Sequence, residues 1–184
     1  MTKMKKNIGS KLALYPMPLT VIGAMNEEKP TWTLVAHVGI IGHDRVLVSL
    51  ASAHFINDMI KNTKKLSINL VNEGMLPKAA KSGAVSGNKE DKSALFAYEM
   101  GTAGTPVIKE ASLTMECTVA DVYETEGFES FICKIENTCV EDSCLDADGN
   151  IDYQIMKPVL FEFPTYSYLK TGDILGPCVS FGRE

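Results

Sequence analysis

Between Arg45 and Val71 the hydrophobic pattern changes period twice. Val46, Val48 and Leu50 alternate with Leu47 and Ser49 in the two-residue rhythm of a strand, and the small residues Ala51, Ser52 and Ala53 break it. Phe55, Ile56, Met59 and Ile60 then fall on one side of a helix, and Leu66-Ser67-Ile68-Asn69-Leu70 resumes the alternation. A strand, small-residue turn, helix and strand aims backbone N–H groups and the positive end of a helix at one point, where an anion fits.

The flanks read mainly as strands. Residues 19–25 form one candidate, ending at the polar turn 26–30, and TWTLVAHVGII, residues 31–41, forms the next, rich in β-branched residues and broken near Gly39 and Gly42. The short turn pairs the two as a hairpin, and residues 45–50 can join them in one sheet. Residues 72–100 carry Gly74, Pro77, Gly83 and Gly87 among short helical patterns, an irregular excursion of the kind on which a β scaffold places ligand contacts. SLTMECTVADVYE and FESFICKIENTCVED, joined near Gly127, are two long strands with a tight connection. LDADGN, residues 145–150, lacks the acidic spacing and terminal glutamate of a calcium loop and reads as a turn. Residues 159–163 and 166–169 are the closing apolar and aromatic stretches.

At least six strands with antiparallel connections, and helices only as insertions, predict a mainly β fold: a β-barrel in a single domain, residues 1–184. No GxGxxG follows a strand and no Walker loop is present, so a bound nucleotide would need another architecture than a Rossmann domain.

Composition narrows the function. A net charge of -5 with scattered Lys and Arg gives no footprint for nucleic acid. No apolar run approaches the roughly 18 residues of a membrane span, and Pro16, Pro18 and Lys11 interrupt the stretch that imitates a signal peptide, so the expected setting is cytoplasmic. Five cysteines without a CxxC pair read as reduced thiols buried in strands, and His37, His43 and His54 are too dispersed for a metal motif. No nucleophile and base pair or carboxylate dyad stands out as catalytic.

Ser52 is placed to cap the helix and His54 lies in its first turn, so a hydroxyl and an imidazole can join the helix amides around a phosphate. The same residues also read as a plain cap and an ordinary histidine. Ser86-Gly87 is either a turn or a ligand contact, and Lys92 either a solvated lysine that caps a short helix or a cation facing a ligand. Trp32 reads as either core or a ligand neighbour, core being the commoner place for an aromatic.

A resemblance favours the ligand-binding reading of the opening stretch and leaves both readings of Lys92 and Ser86-Gly87 in place. The order of Tyr15-Pro16, Lys29-Pro30-Thr31, Val46-Leu47-Val48-Ser49-Leu50, His54-Phe55 with Ile60, Ser67-Ile68-Asn69-Leu70, Ser86-Gly87 with Asp91-Lys92, Pro106-Val107-Ile108 and Met115-Glu116-Cys117 resembles the flavin-reductase-like FMN-binding split-barrel family, especially its flavoredoxin-type members. Tyr168-Leu169 with Gly172 and Gly176 also fits, and the resemblance spans nearly the whole chain.

It implies a split β-barrel with Greek-key-like antiparallel strands and short inserted helices. It further implies FMN as cofactor, a homodimer, NADH or NADPH as a possible donor, and a possible electron-transfer protein as partner. The phosphate side would include Ser49, Ser52 and His54, and the ring side Leu34, Val35, Ala36, Ser86, Gly87 and Lys92. Ala51 stands where many relatives have arginine, Ile56 where they have threonine, and Thr31 where asparagine is frequent. Losing a guanidinium fork and a hydroxyl removes two contacts, each commonly worth about one to three kcal/mol, so FMN is expected to bind more weakly. The expected function is an FMN-dependent oxidoreductase, a flavin reductase or flavoredoxin-like electron carrier. A flavin-storage protein and a barrel that has lost FMN and serves as an interaction domain are the alternatives.

Overall fold

A computed structural model describes residues 4–178. In chain order the strands are β1 (Met17–Pro18), β2 (Thr20–Asn26), β3 (Lys29–Val35), β4 (Val38–Ile40), β5 (Arg45–Ala51), β6 (Lys65–Leu70), β7 (Tyr98–Met100), β8 (Pro106–Ile108), β9 (Leu113–Thr125), β10 (Phe128–Val140), β11 (Leu160–Glu162) and β12 (Ser167–Leu169). The α-helices are α1 (Ile56–Thr63), α2 (Leu76–Ala84) and α3 (Tyr153–Met156).

Seven strands form one antiparallel sheet in the order β3-β2-β6-β9-β10-β5-β4. The expected strand of residues 31–41 is divided: β3 pairs with β2, the chain turns at Ala36 and His37, and β4 pairs with β5 at the opposite end of the order. The Ser49 N–H donates to the His37 carbonyl at 2.9 Å across this corner. One segment thus touches both ends of the sheet and curls it into the split barrel. The small sheet β1-β11-β12 stands apart from the barrel.

Both faces of the central strands are covered, which is why VIGA in β2 is an unbroken apolar run. Ile22 enters the cluster with Val48, Leu50, Ile60, Leu66, Ile68 and Phe131, while Val21 enters the one with Leu19, Trp32, Met75, Phe96 and Ile108. Helix α1 presents Ile56 and Ile60 to the first cluster and ends at Lys64, whose left-handed φ of 56° lets its N–H return to the Ile60 carbonyl at 2.8 Å. Gly23 is required because a Cβ there would collide with the Trp32 indole and the Ser67 hydroxyl.

Trp32 is fully buried, as the sequence predicts. Of the cysteines expected in buried strands, Cys117 and Cys133 fit, and burial raises the Cys133 thiol to about 12. Cys139 is exposed on the outer part of β10, where the alternation points it away from the core. The LDADGN turn is held by Asp146, which accepts from the Asp148 and Asn150 amides at 2.9 and 2.8 Å, and no metal-binding cluster occurs among the described residues.

Candidate functional site

The chain leaves β5 in a tight turn: the His54 N–H donates to the Ala51 carbonyl at 3.0 Å and the Asn57 N–H to the His54 carbonyl at 3.1 Å. Asn57 Nδ2 also donates to the Ala51 carbonyl, at 3.1 Å. Helix α1 therefore starts at Ile56, with Phe55 in the cap position and no side-chain cap. Ser52 is not the N-cap that the sequence predicts. The turn uses three residues between Ser52 and the helix, so its side chain is exposed while its N–H donates to the Gly127 carbonyl at 3.0 Å. The amides of Phe55 and Ile56 have no backbone acceptor among the described residues, so the helix end is open.

Two adjoining cavities meet at His54. The polar one, ≈ 270 Å³, is lined by Thr31, Thr33, His54, Phe55, Ser86, Gly87 and Lys92. The aromatic one, ≈ 460 Å³, is lined by Leu34, Val35, Ala36, His37, Ser49, Phe128, Phe161, Phe163 and Tyr166. Ala51, His54, Gly83 and Ala84 line both, forming a waist of small residues. Gly83 matters here, since a Cβ would meet the Leu34 Cβ at 2.8 Å. Strand β3 is a sheet edge, so its outer backbone groups face the groove rather than another strand.

Lys92 is buried, at 6 % exposure, which overturns the reading of a solvated lysine. Its ammonium donates to the Trp32 carbonyl at 3.0 Å and the Ser82 carbonyl at 2.7 Å, bridging the edge of β3 to the last turn of α2. Lys92 occupies the cap position of the short 3-10 helix that follows, its carbonyl accepting from the Leu95 N–H at 3.1 Å, but its side chain makes no cap bond. Asp91, next in line, turns outward to Lys29 at 3.3 Å and to the Ser93 amide at 2.8 Å. Burial lowers the Lys92 pKa. Burial, then the Lys92 charge, lowers that of His54. Lys92 therefore supplies the positive charge in the polar cavity, with the neutral His54 imidazole beside it.

The aromatic cavity is walled from three directions: His37 at the β3–β4 corner, Phe128 at the start of β10, and Phe161, Phe163 and Tyr166 from β11 and the turn before β12. His37 lies 5.6 Å from Phe163 and 5.9 Å from Phe128 between ring centroids, and Phe163 lies 4.9 Å from Tyr166. No lysine or arginine lines this cavity among the described residues. Ser49 sits in its wall with its hydroxyl 2.9 Å from that of Ser130.

The family model for the flavin reductase like domain matches residues 12–166 of this chain. The chain belongs to that family. Among solved structures, this flavin-reductase-like protein is similar to a flavoredoxin from Methanosarcina acetivorans, at 30% identity and a TM-score of 0.92, with 98% of each chain covered. It is also similar to the flavoredoxin of Desulfovibrio vulgaris (Miyazaki F), at 27% identity and a TM-score of 0.89, covering 98% of this chain and 100% of that one. An FMN-binding protein from Thermus thermophilus shares the fold at 18% identity and a TM-score of 0.79, covering 96% of this chain and 100% of that one. Membership ties the chain to flavin oxidoreductase chemistry.

The structure brings the nominated residues together differently from the division that the resemblance implies. His54 lies with Ser86, Gly87 and Lys92 in the polar cavity, Ser49 lies with Leu34, Val35 and Ala36 in the aromatic one, and Ser52 lines neither. Of the three departures, Ala51 forms the waist, Ile56 opens α1 and packs into the core while bordering the polar cavity, and Thr31 lines that cavity. Sequence reasoning missed Thr33, Gly83 and the aromatic wall. Thr33 had a signal, because it shares a strand face with Thr31 and Val35 and is polar at a position the alternation turns inward. The aromatic tail was visible, but nothing local said which cavity it closes.

Proposed function

We propose that this flavin-reductase-like chain is an FMN-dependent oxidoreductase or electron carrier, with the cofactor's phosphate in the polar cavity and its ring in the aromatic one. The observation that carries this reading is the groove's polarity. One end gathers Lys92, His54 and the open N-terminus of α1, and the other is apolar and aromatic. The residues fit the group: the Lys92 ammonium lies in the polar cavity, and the Thr33 hydroxyl is buried without a partner.

FMN, when bound, accepts and passes on electrons through its ring. The chain's own part is to hold and orient it. Lys92, already fixed by two carbonyls, loses little freedom when it meets an anion. Leu34, Val35 and Ala36 lie along one side of the ring cavity, and outward amides of the β3 edge are available to the ring's polar rim. Phe161, Phe163 and Tyr166 give the opposite wall an aromatic surface for the ring to pack on.

The test is a visible spectrum of purified protein reconstituted with FMN, followed by anaerobic NADH or NADPH. Bound flavin absorbance is expected. Rapid bleaching by a nicotinamide would identify a reductase, whereas retention of FMN with no bleaching would favour a carrier fed by a protein partner. No change in FMN absorbance or fluorescence on titration with the cofactor-free protein would remove the cofactor assignment.

The same reading includes a homodimer. Leu12, Leu14, Tyr15, Met17, Val38 and Leu47 line an apolar groove beside the β4 edge, where Ile40 is also exposed. The expected result is dimer mass in equilibrium sedimentation at micromolar concentration, and a monomer there would refute it.

A further inference from the structure

Thr33 lies on β3 between Trp32, whose carbonyl accepts from Lys92, and Leu34, which lines the aromatic cavity. Its side chain lines the polar cavity, is 2 % exposed, and its hydroxyl has no partner in the protein. A hydroxyl buried in this way carries a desolvation cost that a bound acceptor removes. Lys92 stands in the same cavity with an unspent proton: an ammonium has three, and the Trp32 and Ser82 carbonyls take two.

We infer that the Thr33 hydroxyl and the third proton of Lys92 form a two-donor floor for the phosphoryl group of FMN, which makes Thr33 a binding residue of the site. The inference rests on the reading of the polar cavity as the flavin's anionic pole. Three features select a phosphoryl group over a neutral acceptor. Lys92 brings positive charge to the cavity, His54 can take up a proton when a dianion binds beside it, and the neighbouring carboxylate Asp91 is turned away toward Lys29 and Ser93. The open amides at the start of α1 favour an anion. Phosphoryl oxygens accept several hydrogen bonds each, so both donors and those amides can be satisfied together.

The experiment titrates cofactor-free wild type, Thr33→Val and Thr33→Ser with FMN, riboflavin and inorganic phosphate, with thermal unfolding of each variant alongside. Thr33→Val is expected to lose about tenfold in FMN affinity, the scale of one charged hydrogen bond, and to bind riboflavin as wild type does. Inorganic phosphate should compete with FMN on wild type and do so less well on Thr33→Val. Thr33→Ser, which keeps the hydroxyl, should bind FMN within about twofold of wild type. If valine disturbs the fold, Thr33→Ala removes the hydroxyl without adding a methyl and answers the same question. Unchanged FMN affinity in the hydroxyl-free variant, or equal losses for FMN and riboflavin, would overturn the inference. Wild type that binds phosphate but not FMN would sink the cofactor reading and leave Thr33 as an anion ligand, while binding of neither would sink both.

Discussion

Replacing Lys92 with methionine is expected to reduce both FMN affinity and fold stability. Methionine keeps the length and most of the volume of the stem, so the change isolates the ammonium. Without it the Trp32 and Ser82 carbonyls lose their donor, and each such loss at a buried group costs about 1–3 kcal/mol. Part of this is returned, because burial lowers the Lys92 pKa and so penalises the charge that methionine removes. The net expectation is a loss of about 1–3 kcal/mol, less than the two carbonyl terms together, seen as a lower denaturant midpoint at unchanged slope. FMN should weaken by about a hundredfold, the scale of a lost charge-assisted bond in a cavity with few other cations, while riboflavin weakens less. A variant as stable as wild type that binds FMN equally well would show that Lys92 neither bridges β3 to α2 nor meets the cofactor.

FMN is expected to bind far more tightly than riboflavin, with the gap widening as pH falls toward about 6, where the phosphate itself begins to take up its second proton. His54 supplies the pH dependence. In the free protein burial, then Lys92, hold its pKa below the ordinary 6.5, so it is neutral near pH 7. A dianion beside it opposes both effects and raises the pKa in the complex, so binding takes up a proton. Affinity for FMN then rises as pH drops through the bound-state value and levels off below the free-state value, by at most about tenfold per pH unit for one proton. Riboflavin, lacking the dianion, should show a flat profile. His54→Ala should narrow the FMN preference and flatten its pH profile.

The sign for stability is the opposite. Because the folded pKa lies below the unfolded one, the unfolded chain binds the proton first. Stability of the cofactor-free protein should therefore fall as pH drops below about 6.5, and His54→Ala should lose that part of the slope. Titrations of the cofactor-free protein between pH 6 and 8 check both parts. Equal affinity for riboflavin and FMN throughout would remove the phosphate from this cavity even with the barrel intact.

Lys92 and Ser52 show where local reading reaches its limit. Between Asp91 and Ser93 a lysine looks solvated, and its burial follows from the β3 edge, distant in sequence, and the last turn of α2, ten residues upstream, converging on its ammonium. Ser52 has the right chemistry for a cap, but the fold turns the chain once more before the helix starts and ties the Ser52 amide to Gly127, on the loop joining β9 to β10. In both cases a distant backbone group outweighed a local preference worth about 1 kcal/mol.

By itself the sequence determined the long strands of the barrel, the amphipathic helix α1, the barrel class and the family resemblance, but not the division of residues 31–41 into β3 and β4. Period, β-branching and turn residues act between near neighbours and survive without tertiary information. It also determined the region of the site, because the small-residue turn after β5 and the Ser86-Gly87 excursion both border the groove. Only the tertiary structure decided how that groove is divided. Its polarity comes from pairing His54 with Lys92 and His37 with Phe163, contacts between segments that the sheet's curl and the separate β1-β11-β12 sheet bring together. No periodicity encodes such contacts, since a side chain's surroundings at the end of a strand are set by whichever distant segment closes over it.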